Sequence, residues 1–358
     1  MPTLTNGSGP RGRRSDTKTW LLILVFAAVA IAGLSYVKWW PYYHKAFKAA
    51  TEHTIGSSIL TGDRADAPAP SWQAAWDYAA AYFNSVWKAA VLGILLGSLV
   101  QVLLPSRWLL RALGKATFKS TALGGLASLP GMMCSCCAAP IAVGMRKQKV
   151  SVGAALAFWL GNPVLNPATL IFMTFVLSWK FTLIRLVFGL VLTFGVSYFA
   201  NRYAGESSVP EPIAETAEPA APPEGPLLLR WLKSAGTLFL SIVPAYLVAV
   251  LLLGAARAWM FPMLGEGAMN GILSVLLFSL FGALFVIPTA AEIPIIQTFL
   301  SFGMGAGSAG ALLITLPAVS LPSLLMVARS FPRKVVWFVF GSVVGLGVLC
   351  GAVSAFWL

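Results

Sequence analysis

Long apolar runs without charged residues recur along this chain from residue 19 to its end. Each run is long enough to cross the roughly 30 Å hydrocarbon core of a bilayer as a helix. Only 10% of the 358 residues are charged, whereas a soluble domain carries about 25%. The sequence therefore predicts an all-α polytopic membrane protein with about seven full spans, rather than a soluble globular domain.

The net charge of +13 follows from basic residues that flank the apolar runs. Basic clusters beside membrane helices mark the cytoplasmic face. A nucleic-acid-binding protein would need a soluble basic region, and no stretch is long enough to form one. We therefore expect a multi-pass membrane protein with a cytoplasmic N-terminus and no nucleic-acid partner. The clusters that indicate this topology are 11–18, 107–119, 146–149 and 329–334.

Changes in composition divide the chain into six regions. The linker among them is rich in proline, alanine and glutamate, a composition that cannot form a packed core. The regions are a basic N-terminus expected to be disordered (1–18), a leading transmembrane helix (19–43), an external loop (44–80), a first transmembrane repeat (81–203), the acidic linker (204–228) and a second transmembrane repeat (229–358).

Three of the four cysteines lie in one uncharged stretch, 128–145, at Cys134, Cys136 and Cys137. Glycine and proline interrupt this stretch, although a plain spanning helix needs no such breaks. Broken backbone at membrane depth is tolerated only where protein buries it or where it lines a cavity. We predict a re-entrant hairpin over 120–145 that presents soft sulfur ligands. The alternative is that the cysteines are small packing residues in a helix interface.

The second half of the chain resembles the first at a spacing of 154 residues, as in the pairs Pro140 and Pro294, and Pro163 and Pro317. The doubled Asn-Pro motif at 162–167 predicts a helix broken inside the membrane, since proline removes a backbone donor. Its counterpart at 320–322 aligns after a one-residue insertion. With a second hairpin at 270–302, the pattern predicts an inverted-topology repeat typical of transporters.

In such a repeat, the binding site lies where the broken elements of the two halves meet. We therefore expect the cysteines to converge with five polar side chains from the other breaks. Glu292, a carboxylate within an apolar run, is a candidate for proton coupling, although it could instead cap the second half-helix of its hairpin. The predicted substrate-binding set is Cys134, Cys136, Cys137, Asn162, Asn166, Thr289, Glu292 and Ser320.

The motif around the cysteines, Pro-Gly-Met-Met-Cys-Ser-Cys-Cys-Ala-Ala-Pro at 130–140, and the motif Asn-Pro-Val-Leu-Asn-Pro at 162–167 resemble the signature of a known family. This is the predicted permease family, which includes the ArsP organoarsenical efflux permeases and the YraQ-like proteins. The resemblance covers roughly residues 80–358 and implies a secondary permease of the bacterial inner membrane. It also implies thiophilic substrates, since the ArsP branch exports trivalent organoarsenicals. Cys137 and the leading helix depart from the family pattern.

These features favour a permease that moves a small thiophilic or thiol-containing solute by alternating access. No phosphate-binding loop is present, so we expect neither ATP hydrolysis nor an enzyme, and we expect no cofactor or metal site. The expected partners are the solute and the lipid bilayer, with homo-oligomerisation left open. Two alternatives remain: a membrane-embedded thiol oxidoreductase that uses the Cys134–Cys137 cluster, and a binding or sensing membrane protein.

Overall fold

The computed structural model describes residues 11–61, 68–104, 106–205, 226–261 and 271–358. Most of the acidic linker predicted at 204–228 and the first ten residues of the predicted N-terminus lie outside the described residues. The regular elements described are all helices.

The described residues of the first half form ten helices. They are α1 (Arg11–Leu34), α2 (Trp40–Glu52), α3 (Trp72–Val102), α4 (Ser106–Leu113), α5 (Phe118–Ser128), α6 (Ser135–Lys147), α7 (Val152–Val164), α8 (Pro167–Val176), α9 (Trp179–Leu190) and α10 (Ser197–Tyr203). Two π-helical turns join neighbours into continuous helices, Ser35–Trp39 between α1 and α2 and Val191–Val196 between α9 and α10. The second half contains α11 (Leu227–Met260), α12 (Ile272–Leu284), α13 (Glu292–Ser301), α14 (Ala306–Ala318), α15 (Leu321–Val327) and α16 (Arg333–Trp357).

Six helical segments of the described chain are long and apolar enough to cross a membrane, and the stretches Tyr246–Arg257 and Ile272–Leu284 are shorter apolar helices. Large apolar side chains such as Leu240 and Phe356 are exposed on the outside of the bundle, as expected for surfaces that face lipid tails. The chain is therefore a multi-pass membrane protein. The six long segments are Trp20–Glu52, Trp72–Val102, Val152–Val176, Trp179–Tyr203, Ala306–Val327 and Arg333–Trp357.

The leading helix is longer than the sequence indicated. It continues through the π-helical turn to Glu52, whereas the sequence placed the start of an external loop at residue 44. The aromatic residues at 39–43 are typical of the interfacial end of a membrane helix. The helix nevertheless continues past them, and Pro41, which has no backbone N–H, lies within it shortly after the π-helical turn Ser35–Trp39.

The order of the helices repeats at the spacing seen in the sequence. Helices α5, α7, α8 and α9 begin at 118, 152, 167 and 179, and α12, α14, α15 and α16 begin 154 residues later, at 272, 306, 321 and 333. Asn166 and Ser320 are the capping residues at equivalent breaks. The one-residue insertion expected at this corner is therefore not needed, because the caps align rather than the prolines.

The cysteine-bearing helix α6 packs closely against α3 through glycine. A Cβ atom on Gly97 would lie 2.6 Å from the carbonyl oxygen of Pro140, and one on Gly144 would lie 2.5 Å from the carbonyl oxygen of Gly97. Gly93, one turn away, faces the backbone of Cys137. Small residues at this spacing allow membrane helices to approach backbone to backbone, and here they fix α6 against α3.

We expect Gly97→Ala to lower the free energy of unfolding by about 1–3 kcal/mol, since the methyl group forces α3 and α6 apart. Gly341→Ala is the matched control, because open space surrounds Gly341 on α16. Thermal unfolding in detergent measures both variants. Equal unfolding midpoints for the two variants would contradict the close contact.

Candidate functional site

The three cysteines lie at the start of α6, directly after a broken segment. Helix α5 ends at Ser128, a short 3₁₀ turn follows at Leu129–Gly131, and Cys134 then takes an extended conformation as the capping residue of α6. Cys134, Cys136 and Cys137 are free and buried. The Sγ atoms of Cys134 and Cys137 are 2.7 Å apart, so these two thiols can act on a common atom.

The cysteine segment contacts the break of the second half. The Sγ atom of Cys136 lies 3.2 Å from the Ser320 hydroxyl, and the hydroxyls of Ser135 and Ser320 are 3.4 Å apart. Ser320 itself is fixed, because its backbone N–H donates to the Ser323 hydroxyl at 3.0 Å in a capping box. Two polar segments separated by 184 residues of chain therefore meet inside the bundle.

The two predicted asparagines are buried and support the backbone around the break between α7 and α8. The Asn166 side-chain oxygen accepts from the N–H groups of Ala168 and Thr169 at 3.1 and 3.3 Å, as a helix cap does. The Asn162 amide donates to the Phe158 carbonyl at 2.9 Å, and its oxygen accepts from the Met133 N–H at 3.4 Å. Asn162 thereby links the break to the cysteine segment, whereas Asn166 stabilises the next helix.

An ion pair between Arg185 and Glu292 lies next to these breaks. Arg185 Nη1 and Glu292 Oε1 are 2.7 Å apart, and both side chains are almost completely buried. The guanidinium also donates to the carbonyl oxygens of Pro163 and Val164 at 2.8 and 3.0 Å. These carbonyls are free to accept bonds from a charged side chain because α7 ends at Val164 and because Pro167, four residues after Pro163, has no N–H to donate.

Glu292 begins α13 but does not cap it, since its capping position is Ala291 and no side-chain cap bond is present. Its Oε2 atom has no hydrogen-bond partner among the described residues. Arg185 thus pairs with one oxygen of the carboxylate, and the other oxygen, Oε2, can still accept a hydrogen bond. Its role in proton coupling stays a prediction.

Thr289 lies in the non-helical segment 285–291 between α12 and α13, where Ala290 takes a left-handed φ of 69°. The ammonium group of Lys38 donates to the Thr289 hydroxyl at 3.0 Å and to the Tyr42 hydroxyl at 3.1 Å. Lys38 is only 5% exposed. The leading helix therefore contributes a buried cation that reaches the second half of the chain.

A small cavity lies where these elements meet. Its volume is about 10 Å³, close to the minimum that one water molecule requires. Of the predicted site residues, Cys134, Thr289 and Glu292 border it, together with Pro163 of the first break and Pro317 of its counterpart. The structure thus brings together five of the eight predicted residues. Three of them line this cavity, and the other two, Cys136 and Ser320, contact each other. Whether they bind a solute stays a prediction.

Sequence analysis missed two charged residues of this region. Arg185 lies within an apolar run, and its charge there was a signal as strong as that of Glu292. Lys38 directly precedes two tryptophans, a pattern typical of the membrane surface, although its side chain is buried. A third signal was the Cys-x-x-Cys spacing of Cys134 and Cys137, which is typical of redox pairs. Within the described ranges, no group of three or more His, Cys, Asp or Glu side chains could hold a metal ion.

Comparisons with known proteins agree with the resemblance in the sequence. The predicted permease family matches residues 71–356. The UPF0718 protein YraQ of Escherichia coli (strain K12) is 54% identical over 335 residues, which cover 94% of this chain and 95% of that protein. The UPF0718 protein MJ0584 of Methanocaldococcus jannaschii is 23% identical over 284 residues, or 62% of this chain and 78% of that protein. No solved structure matches the chain significantly.

We expect Arg185→Met to lower the free energy of unfolding by about 3–5 kcal/mol, since it leaves a buried carboxylate without a partner. Glu292→Gln should restore part of this loss in the double variant, and a double-mutant cycle by chemical unfolding measures the coupling. The control pair is Lys48 and Glu52, which is half exposed and should be worth no more than about 1 kcal/mol. If the changes in the free energy of unfolding caused by the two single substitutions simply added in the double variant, the ion pair would be contradicted.

Proposed function

We propose a transport function for this chain, which belongs to the predicted permease family. Its activity is that of a secondary permease of the bacterial inner membrane, with a cytoplasmic N-terminus. The permeant is a small thiophilic or thiol-containing solute, such as a trivalent organoarsenical. Two inverted repeats, each with a re-entrant hairpin, move against each other to give alternating access.

The cysteine cluster carries the proposal on the substrate. Three buried thiols occupy the start of α6, and two of them are 2.7 Å apart. Thiolates are soft ligands that select thiophilic atoms. A trivalent arsenical with two exchangeable positions can bond to two thiols at once, so the neighbouring Cys134 and Cys137 suit this class of solute.

The position of the cluster supports the proposal on mechanism. Cys136 contacts Ser320 of the second half, so a solute bound by the thiols would touch both repeats. The segment at 288–290 borders both the small cavity beside Cys134 and a larger cavity. Movement of this segment would join the two spaces, and the unused acceptor of Glu292 at the same place suits a coupled proton.

Phenylarsine oxide should cross the membrane of liposomes that contain the purified protein faster than it crosses the membrane of empty liposomes. Cys134→Ser and Cys137→Ser should each lower the flux at least about tenfold, because a lost sulfur bond exceeds the 1.4 kcal/mol that corresponds to this factor. Cys350→Ser is the matched control, since Cys350 is a buried free cysteine on α16 that lines neither cavity. Parental flux in the triple Cys134, Cys136 and Cys137 variant would refute sulfur ligation.

The second candidate is a membrane-embedded thiol oxidoreductase. The observation that favours it is the Cys-x-x-Cys spacing of Cys134 and Cys137 together with their 2.7 Å Sγ–Sγ separation. In such a reaction the two thiols would form a disulfide and give two electrons and two protons to a substrate disulfide, which leaves as two thiols. The family match favours transport over catalysis.

Alkylation of free thiols during turnover separates the two candidates. For a permease, all four cysteines should remain reduced while solute crosses the liposome membrane, and oxidised glutathione should stay unreduced. Stoichiometric conversion of Cys134 and Cys137 to a disulfide, with release of two glutathione molecules for each protein, would instead establish the oxidoreductase. Mass spectrometry of the alkylated protein measures both outcomes.

A further inference from the structure

A cavity of about 650 Å³ lies beside the leading helix and shares the 288–290 segment of its lining with the small cavity that Cys134 borders. Three regions of the chain form it: the leading helix with the loop that follows, the middle of α3, and the segment between α12 and α13. Several of its lining groups can donate hydrogen bonds. These donors are Lys38, Tyr42, Lys45, Ser57, Ser58, Asn84, Ser85, Lys88 and Thr289.

The charges that line this cavity all have one sign. Lys38, Lys45 and Lys88 contribute three ammonium groups, and no aspartate or glutamate is among the described residues of the lining. Glu292 lies beyond the 288–290 segment, and its charge is already paired with Arg185. A cavity with positive charge and low-dielectric walls raises the local concentration of anions.

Lys38 is the strongest evidence for an anionic ligand. Its side chain is buried, and its hydrogen-bond partners within the described chain are the hydroxyls of Tyr42 and Thr289. The thiols of Cys134 and Cys137 lie within electrostatic range, but no carboxylate of the described chain is in reach of a salt bridge. A buried charge is costly unless an opposite charge pairs with it. Lys45 and Lys88 lie at more exposed positions of the same cavity, where they can attract an anion towards Lys38.

We propose that this cavity binds a small soluble organic anion, and that the permeant carries an anionic group beside its thiol or thiol-reactive atom. The proposal rests on the transport function above and specifies its substrate class. The anionic group occupies the lysine-lined cavity, while the soft atom faces the cysteines across the 288–290 segment. Both cavities border Pro288, Thr289 and Ala290, so a single solute that passes this segment meets the ammonium groups first and the thiols next.

Four small compounds separate the effect of charge from that of sulfur. They are 2-mercaptoethanesulfonate (thiol and anion), isethionate (anion with a hydroxyl in place of the thiol), 2-mercaptoethanol (neutral thiol) and cysteamine (cationic thiol). Binding is measured as the concentration dependence of the unfolding midpoint of the full chain in neutral phosphatidylcholine nanodiscs. We expect 2-mercaptoethanesulfonate to bind most tightly, isethionate to bind measurably, and cysteamine to bind least.

Substitutions at the two more exposed lysines test the cavity. Lys45→Gln and Lys88→Gln should each weaken binding of both sulfonates by about threefold to tenfold, as expected for one lost charge, and leave 2-mercaptoethanol unchanged. Lys45→Arg and Lys88→Arg should retain sulfonate binding. Lys48→Gln is the matched control, because Lys48 lies on the same helix, is half exposed and pairs with Glu52 outside the cavity.

The outcomes distinguish this proposal from the transport function. Equal binding of all three thiols regardless of charge, absence of isethionate binding, or an equal loss in Lys48→Gln would overturn the anion site and leave the thiol permease standing. Lysine-dependent binding of isethionate without flux of any thiol in liposomes would support the anion site and refute the permease. The last measurement repeats isethionate binding in nanodiscs that contain the anionic lipid phosphatidylglycerol. Complete loss of isethionate binding there would show that a lipid headgroup occupies the cavity and would refute the proposal of a soluble anion.

Discussion

The buried contact between Arg185 and Glu292 connects the interrupted helices of this bundle. Two opposite charges leave water only if their mutual attraction and further hydrogen bonds compensate for desolvation. Here the compensation comes from backbone: Pro163 and Val164 offer carbonyl oxygens that an unbroken helix would use internally. The ion pair and the break in α7 therefore depend on each other, since each supplies the partner that the other lacks.

This arrangement also determines where the cysteines lie. Arg185 holds the end of α7 through Pro163 and Val164, and the side chain of Asn162, directly before them, reaches the backbone just before Cys134. Trp159 on the same helix donates to the Ser135 carbonyl at 2.8 Å. On the opposite side, glycines let α3 approach α6 closely. The thiols are thus held between two rigid contacts, so their position relative to Ser320 is defined by packing rather than by their own loop.

The leading helix belongs to the same system, although it precedes the residues that match the family, 71–356. Its Lys38 interacts with Thr289 in the segment between α12 and α13, and the indole of Trp39 donates to the Pro130 carbonyl beside the cysteine segment at 2.8 Å. One turn of this helix therefore contacts the broken segments of both halves, at Pro130 and at Thr289. A helix that sequence alone would assign to membrane anchoring contributes the buried positive charge of the larger cavity.

The sequence by itself determined the membrane class, the 154-residue spacing of the halves and the interruption of helices at the Asn-Pro and cysteine segments. These properties are local, because apolar length, proline and glycine act on the backbone where they occur. The tertiary structure alone decided that Arg185 pairs with Glu292, that Lys38 reaches Thr289 and that Cys136 meets Ser320. Each pair joins positions more than 100 residues apart. The physical reason is that a buried charge or hydroxyl selects its partner by the geometry of packed helices, which no single stretch of sequence contains.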